Sequence, residues 1–461
     1  MVLRVFNHYL HRQALRQVFF DVGLILSTVM AVVLVQGPAG QALMPFAASH
    51  SLSLAGGMFV INFAAGFYQN SHNRSMTATA TRALLGLLFG LPLAYAIFSL
   101  LPADPEPRNL ITRVAMVAVA AVMAHRVYAA HVGLQSRNRT RILIFGTGAV
   151  ARAVGLSLTA ADPHAQIIGY FTGPNEADPQ VPLAEIIAST DSLIETARRL
   201  EVAEIVVALP ERRGGSMPLR QLLDCKLHGI HVVDISSYFE RTLTQINIDH
   251  VNPGWLIFGD GFNQGLIRSL VKRAFDLFFS ALLLLLALPV MLAAALWIKL
   301  DSPGPVLYQQ QRVGLNGKIF RVIKFRSMRA DAEKDGKPRW ASIGDDRVTK
   351  VGRFIRKLRI DELPQLVNVL SGEMSLVGPR PERQFFVEEL IGKIPYFAVR
   401  HSVKPGVTGW AQVRYEYGST VEDSIEKLQY DMYYVKNHSL FLDLLIILET
   451  VAVVLTGKGA R

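Results

Sequence analysis

Four apolar stretches, each about as long as a lipid bilayer is thick, constrain this chain more than any other feature. A helix needs roughly 20 apolar residues to cross the hydrocarbon core. A bundle of buried helices in a soluble protein is the alternative, but 51% hydrophobic residues in 461 fit a protein that lies partly in lipid. We therefore expect four transmembrane helices, at 18–36, 52–68, 83–101 and 110–129.

The basic residues around these stretches predict which of their ends face the cytoplasm. Lys and Arg occur before the first stretch, between the second and third, and after the fourth. In the loops at 37–51 and 102–109, Arg108 is the only basic residue of these two types. Both ends of the four-helix unit are therefore expected on the cytoplasmic side. The residues behind this prediction are Arg4, Arg12, Arg16, Arg74, Arg82, Arg137, Arg139 and Arg141.

The first apolar stretch, the single cysteine and the net charge each restrict the class of protein. The first stretch is too long for a secretory signal and has no small-x-small cleavage site, so we expect it to remain as an anchor. The single cysteine, Cys225, excludes an intrachain disulfide framework and is expected to be a small buried residue. The net charge of +11 is compatible with nucleic acid, anionic lipid or phosphate-bearing substrates, and only the positions of the charges can decide.

A fifth apolar run, at 277–300, has basic residues on both sides. The positive-inside rule then asks for both of its ends on one side of the membrane. Pro289, near its centre, removes a backbone donor and is expected to kink the helix. The pattern predicts a re-entrant helix, at about 272–300, that enters the bilayer and turns back.

The middle of the chain begins with a strand that leads into a glycine turn. Gly146, Gly148 and Ala151 give the G-x-G-x-x-A pattern of a dinucleotide-binding fold, in which glycines let a phosphate approach the start of a helix. No acidic residue follows the second strand to hold a ribose, since 169–174 reads Gly-Tyr-Phe-Thr-Gly-Pro. The pattern predicts a small parallel sheet, with a structural or regulatory role favoured over a bound nucleotide.

The segment 304–328 is dense in glycine and in cations, close to the expected membrane surface. Arg312, Lys324 and Arg326 lie in it, and such a density suits a diphosphate. A basic surface touching anionic lipid is the alternative, and it accounts for the charge but not for the glycines.

Two adjacent carboxylates, Asp361 and Glu362, follow in a second basic segment. Apolar residues at 363, 366, 367 and 370 predict a short helix beginning near Asp361, so one interpretation is an N-cap followed by a first-turn charge. The other is a phosphate-transfer site, with Arg356 and the proline-flanked Arg380 neutralising phosphate oxygens. One carboxylate would attack phosphorus and the other would hold a metal.

Four motifs follow one another in the last part of the chain: Lys324-Phe-Arg-Ser-Met, Asp361-Glu-Leu-Pro-Gln, Val377-Gly-Pro-Arg-Pro-Glu and Lys404-Pro-Gly-Val-Thr-Gly-Trp-Ala-Gln. With these motifs, the chain from about residue 268 to the C-terminus resembles the bacterial sugar transferases, the monotopic polyprenyl-phosphate phosphoglycosyltransferases. The four spans and the Rossmann-like module resemble the large members that initiate exopolysaccharide synthesis. Some members have Ser-Pro at the re-entrant bend, where this chain has Leu288-Pro289.

The resemblance implies that a sugar-1-phosphate passes from a UDP-sugar to undecaprenyl phosphate, with release of UMP. Asp361 would form a phosphosugar intermediate in a ping-pong mechanism, and Glu362 would help to place Mg²⁺. Lys324, Arg356 and Arg380 would contact phosphate. The expected location is the bacterial inner membrane, with lipid rather than nucleic acid as neighbour and a homodimer as a plausible assembly. The resemblance leaves the sugar open, with glucose or galactose as the expectation.

The predicted class is therefore a membrane protein, α plus α/β. It comprises a four-helix transmembrane domain at 1–136, a Rossmann-like domain at 137–262, and a mostly α catalytic domain at 263–461. Two other functions stay open: a membrane-bound nucleotide-sugar dehydratase or epimerase, against which the missing Tyr-x-x-x-Lys pair argues, and a non-catalytic scaffold for polysaccharide assembly. The apolar run 440–455 carries Asp443 and Glu449 and is expected to be interfacial or packed.

Overall fold

The computed structural model describes most of the chain. Two residues named above, Arg74 and Arg137, lie outside the described part, so the structure does not test the predictions made for them. The described residues are 2–5, 8–68, 76–135, 139–161, 165–174, 176, 178–187, 192–209, 217–248, 251, 261–262, 265–329, 347–415, 418 and 420–456.

The N-terminal part is a hairpin followed by four long helices that share one apolar core. Side chains from all four helices meet in it, among them Ile25, Met58, Ala94 and Val119. The elements are strands β1 (Val2–Val5) and β2 (His8–His11), and helices α1 (Arg12–Val35), α2 (Gly37–Ala64), α3 (Met76–Ser99) and α4 (Pro105–Gln135).

The expected loop at 37–51 is wrong, because α2 begins directly after α1 and includes the whole segment. The Ser, Gly and His residues of this segment lower its mean hydropathy, so the predicted span began only at residue 52. Pro38 is tolerated since it lies in the first turn, where backbone N–H groups have no partner within the helix.

The middle domain confirms the predicted parallel sheet. Its strands lie in the order β4-β3-β5-β6, and all neighbouring pairs are parallel. Cys225 is buried, as expected. The elements are β3 (Thr140–Phe145), α5 (Ala149–Ala161), β4 (Ala165–Phe171), α6 (Leu193–Arg199), β5 (Glu204–Val207), α7 (Leu219–Leu227), β6 (His231–Asp234) and α8 (Ile235–Leu243).

A continuous helix, α9 (Leu266–Asp301), contains the fifth apolar run and Pro289. It begins six residues before the expected start at 272. Among the described residues, five helices are long and apolar enough to cross a membrane by length and composition, and they indicate a membrane protein. These segments are Leu15–Val35, Gly40–Ala64, Thr79–Ser99, Pro105–Ala129 and Leu266–Asp301.

The C-terminal part combines an antiparallel hairpin, a short parallel pair and several helices around a large core. Tyr433 and Tyr434 of the C-terminal part are buried in this core. The elements are β7 (Leu307–Val313), β8 (Ile319–Phe325), α10 (Lys350–Lys357), α11 (Gln365–Ser371), β9 (Ser375–Val377), α12 (Gln384–Lys393), β10 (Gly406–Thr408), α13 (Trp410–Arg414), α14 (Val421–Asn437) and α15 (Leu440–Thr456).

Contacts join the three parts. Helix α15 packs against α2 and against the β9–β10 pair, which confirms the expectation of a packed helix at 440–455. The buried ion pair between Lys436 and Glu240, 2.8 Å, links α14 to α8 of the sheet domain. Trp410 donates from its indole to the carbonyl of Thr244.

Candidate functional site

The β7–β8 hairpin brings Lys324 to the carboxylate pair. Lys324 lies near the end of β8, opposite Tyr308 of β7. Asn368 of α11 joins the hairpin to the helix after the carboxylates, because its side chain accepts from the Ile323 N–H at 3.0 Å and donates to the Arg321 carbonyl at 2.8 Å. The strand that carries Lys324 and the segment that carries Asp361 are thus held as one unit.

Asp361 and Glu362 end a short 3-10 helix, Ile360–Glu362, between α10 and α11. The N-cap interpretation is wrong, since α11 begins only at Gln365, after Pro364, and no side chain caps the 3-10 helix. Arg359, directly before the pair, has a φ of 57°, in a left-handed region that costs non-glycine residues about 1 kcal/mol or more. The dyad therefore follows a strained turn rather than starting a regular helix.

Glu362 is buried and shared between two cations. Its Oε1 accepts from Lys324 Nζ at 3.0 Å and from Arg380 Nη2 at 2.8 Å, and Arg359 lies 4.0 Å from Oε2. Burial alone raises the pKa of Glu362, but Arg380, Lys324 and Arg359 outweigh it and hold the pKa well below its usual range. Burial lowers the pKa of Lys324, although Glu362 opposes that shift. Glu362 is therefore an ionised anchor for both cations.

Asp361 has a different environment, although it is the next residue. Burial first, and then the charge of Glu362, raise the pKa of Asp361 to about 6, against the opposing charges of Lys324, Arg356 and Arg359. Its Oδ1 is buried and has no hydrogen-bond partner among the described residues. A buried carboxylate oxygen without a donor is costly, which marks Asp361 as a group available for chemistry.

Arg380 reaches the dyad from a tightly held loop. A Cβ on Gly378 would lie 2.3 Å from the Lys404 carbonyl, so only glycine permits this approach between the loop and the segment before β10. The loop is fixed by bonds from the Gly378 N–H to Thr408 and from the Gly406 N–H to the Pro379 carbonyl. The Arg380 guanidinium donates to Gln412 Oε1 at 2.9 Å as well as to Glu362.

The other predicted substrate-binding residues, Arg356, Arg312 and Arg326, have different surroundings. The charge of Arg356 acts on Asp361. Arg312 instead contacts the residues that follow Arg380, because its guanidinium donates to the Pro381 carbonyl and to the Glu382 carboxylate. Arg326 donates to Ser302 and Pro303 in the turn after α9, so its guanidinium holds that turn in place.

The sequence relationships agree with this geometry. A model of the family described as bacterial sugar transferase matches residues 267–457. A UDP-glucose:undecaprenyl-phosphate glucose-1-phosphate transferase from Caulobacter vibrioides is 47% identical over 192 residues, which are 41% of this chain and 71% of that protein. The chain belongs to the bacterial sugar transferase family.

Two longer alignments extend this relationship. A UDP-N-acetylgalactosamine-undecaprenyl-phosphate N-acetylgalactosaminephosphotransferase from Aeromonas hydrophila is 45% identical over 52% of this bacterial sugar transferase and 56% of its own length. A UDP-glucose:undecaprenyl-phosphate glucose-1-phosphate transferase from Escherichia coli K12 is 37% identical over 64% of this chain and 63% of its own. The aligned part thus spans less than two thirds of either relative.

A metal ion in this bacterial sugar transferase would depend on few protein ligands. The described residues contain no group of three or more His, Cys, Asp and Glu side chains placed to hold a metal. Mg²⁺, however, is often bound by one or two carboxylates together with substrate phosphates. Glu362, whose Oε2 lies 4.0 Å from Arg359 while its Oε1 accepts from Lys324 and Arg380, fits that pattern as one carboxylate ligand.

The glycine turn of the Rossmann-like domain is filled by one of the chain's own side chains. The Glu176 carboxylate accepts from the N–H groups of Thr147, Gly148 and Gly173, at 2.8, 3.3 and 2.9 Å. It therefore takes the donors that a phosphate would use in a dinucleotide-binding fold. Ala151 is buried in the helix that follows. This arrangement favours the structural interpretation of the motif.

Three residues around the dyad were missed by reasoning from the sequence. Gln412 is only the last residue of one of the four family motifs, and no motif contains Arg400 or Asp431. All three lie far from Arg380 in sequence but contact it directly or through one another. An Arg at 400 and an Asp at 431 have no spacing that predicts their pairing, so only the fold brings them together.

Proposed function

We propose that this chain transfers a sugar-1-phosphate from a UDP-sugar to undecaprenyl phosphate, with UMP as the other product. One observation carries the proposal: Asp361, a buried carboxylate with an oxygen that none of the described residues bonds, lies beside a second carboxylate that holds Lys324 and Arg380 in place. The names of the three relatives describe transferases that act with undecaprenyl phosphate. The reaction is expected as the first membrane step of exopolysaccharide or related glycan synthesis.

In the first proposed step, a carboxylate oxygen of Asp361 attacks the phosphorus that carries the sugar. The bond from that phosphorus to the oxygen of UMP breaks, and UMP leaves with the electron pair. Lys324 and Arg380 neutralise the charge on the phosphate oxygens, and their bonds to Glu362 keep both cations oriented before substrate arrives.

In the second proposed step, an oxygen of undecaprenyl phosphate attacks the same phosphorus. The bond to Asp361 breaks, the carboxylate is restored, and undecaprenyl-diphosphate sugar is released. Glu362 would help to hold a Mg²⁺ ion that offsets the negative charge of the donor's diphosphate. Arg356 adds positive charge beside Asp361 and favours its ionised form.

The environment of α9 supports a re-entrant helix. Arg273, near its start, donates to the Val369 and Leu370 carbonyls of α11. Ala294 and Ile298, near its end, pack with Ile355 of α10. Both ends thus contact the same domain, while leucines between them, such as Leu285 and Leu286, are more than 60% exposed.

We infer that both ends of α9 lie on the cytoplasmic face of the inner membrane, with the dyad near the surface where an acceptor headgroup lies. Because Cys225 is the only cysteine, a Cys225→Ala chain can carry one new cysteine at Leu266 or Asp301. Labelling of both positions from the cytoplasmic side is expected in membrane vesicles. Labelling of one position from each side would contradict the re-entrant arrangement.

The raised pKa of Asp361 predicts an acid limit to activity. Only the ionised carboxylate can attack phosphorus, and a pKa of about 6 keeps the proton bound up to a higher pH than an ordinary aspartate would. We expect kcat/KM for the donor to fall about tenfold per pH unit below roughly pH 6 and to level off above it. A kcat/KM that stays constant from pH 5 to pH 8 would contradict this assignment.

The test of the proposed function is release of UMP by detergent-purified protein with Mg²⁺ and undecaprenyl phosphate. The donors should include UDP-N-acetylgalactosamine, UDP-glucose and UDP-galactose, because the relatives' names differ in their sugar. Release that depends on the lipid, with one preferred donor, is the expected result. Absence of release from UDP-, GDP- and CDP-sugars would favour the scaffold alternative.

A further inference from the structure

A second buried ion pair lies on the far side of the Arg380 loop. Arg400 and Asp431 are 2.8 Å apart, and their side chains are 7% and 1% exposed. Arg400 belongs to the 3-10 helix Phe397–Ser402, and Asp431 lies in the middle of α14. The Arg400 guanidinium also lies over the Phe397 ring, 5.1 Å from its centre, so its position is held by an aromatic face as well as by a charge.

This pair contacts the loop that carries Arg380. The same nitrogen of Arg400 that meets Asp431 donates to the main-chain carbonyl of Arg380 at 2.9 Å. The charge of Asp431 therefore attracts the Arg400 guanidinium, and Arg400 bonds the backbone from which the Arg380 side chain extends toward Glu362. Arg312 approaches the adjoining residues Pro381 and Glu382, which leaves the loop anchored on two sides.

Stability alone does not explain why this ion pair is buried, because desolvation of the two charges offsets most of their attraction. A buried ion pair contributes little net stability, whereas loss of one partner leaves an uncompensated charge. Burial raises the pKa of Asp431 to about 6 despite the Arg400 charge, so ionisation of Asp431 is disfavoured where it is located. An apolar pair could fill the same space, but it could not donate to the Arg380 carbonyl.

We propose that Asp431 is a positioning residue for sugar-phosphate transfer, acting through Arg400 on the loop that places Arg380 at the dyad. The inference rests on the proposed function for its catalytic part. Its structural part, the control of the Arg380 loop by Asp431, can be measured without any turnover.

The first measurement is hydrogen exchange in the full-length protein in detergent. Asp431→Asn keeps the shape of the side chain and removes its charge, and Arg400→Lys keeps the charge but cannot reach both partners equally well. We expect about tenfold faster exchange in peptides that contain the Gly378 and Gly406 amides in both variants. Glu204→Gln, which alters the Arg241–Glu204 ion pair within the sheet domain, is the matched control and should leave those peptides unchanged.

The second measurement is a double-mutant cycle on transfer. Asp431→Asn should lower kcat about ten- to a hundredfold, with KM for the donor changed less than about twofold. In an Arg380→Ala background the same substitution should add less than about a twofold loss, because its effect passes through Arg380. A purely structural role predicts additive losses in that background instead.

The outcomes separate the two proposals. Unchanged exchange in the Gly378 peptide, or additive losses in the cycle, would overturn the positioning role even if the protein transfers sugar phosphate. Faster exchange in a protein whose wild type releases no UMP would remove the proposed function and leave the control of the loop by Asp431 supported.

Discussion

Asp361→Asn should reduce sugar-phosphate transfer by at least about a thousandfold, because it removes the proposed nucleophile. The fold should persist. Burial and Glu362 already disfavour the charge on Asp361, so a neutral amide of the same shape relieves a cost rather than adding one. Thermal unfolding at pH 7.5 should therefore show a midpoint at or above that of the wild type, and UMP release should be absent.

The matched control for this variant is Asp301→Asn. Asp301 lies in the same domain, at the exposed end of α9, and the same chemical change there should keep transfer within about twofold of the wild type. Substantial transfer by Asp361→Asn would exclude the covalent mechanism. A large fall in its unfolding midpoint would contradict the description of Asp361 as a costly buried charge.

Glu362→Gln should impair both stability and turnover. The substitution leaves Lys324 and Arg380 near one another without the buried anion between them. Loss of one member of such a cluster costs several kcal/mol, and since the amide oxygen still accepts hydrogen bonds, we expect about 2 kcal/mol. Turnover should fall at least about a hundredfold, because both phosphate-binding cations lose their orientation.

A second substitution separates the two effects of Glu362→Gln. Adding Lys324→Met removes one of the uncompensated cations, so the free energy of unfolding should recover in part, while turnover should stay low. Chemical unfolding and UMP release measured on the single and double variants provide the check. Unchanged stability in Glu362→Gln would mean that the ion pairs to Lys324 and Arg380 are not formed in solution.

Periodicity and length were sufficient for much of the architecture. The apolar stretches, the parallel strands of the sheet domain and the helix with Pro289 all follow from patterns within a few turns of chain. The segment at 37–51 shows the limit of this reasoning. Its low hydropathy suggested a loop, yet the segment is helical, with Pro38 in the first turn and Pro45 inside the helix, where it removes one backbone donor.

The candidate site was only partly visible in the sequence. The adjacent carboxylates at 361 and 362 are recognisable in the sequence as a candidate site. Their roles, however, depend on partners distant in sequence, such as Lys324 and Arg380. Long-range contacts also decided the role of Arg326, which holds the turn after α9. No sequence motif predicted that the Glu176 carboxylate would accept hydrogen bonds from the N–H groups of the glycine turn.

The most direct test of the central claim is a search for the covalent intermediate on Asp361. The protein would be incubated with the preferred UDP-sugar and Mg²⁺ but without undecaprenyl phosphate, quenched, digested and analysed by mass spectrometry. A sugar-phosphate adduct on Asp361, absent in Asp361→Asn and lost when undecaprenyl phosphate is added, is the predicted result. Lipid-dependent transfer with no adduct on Asp361, or with an adduct on another residue, would contradict the account.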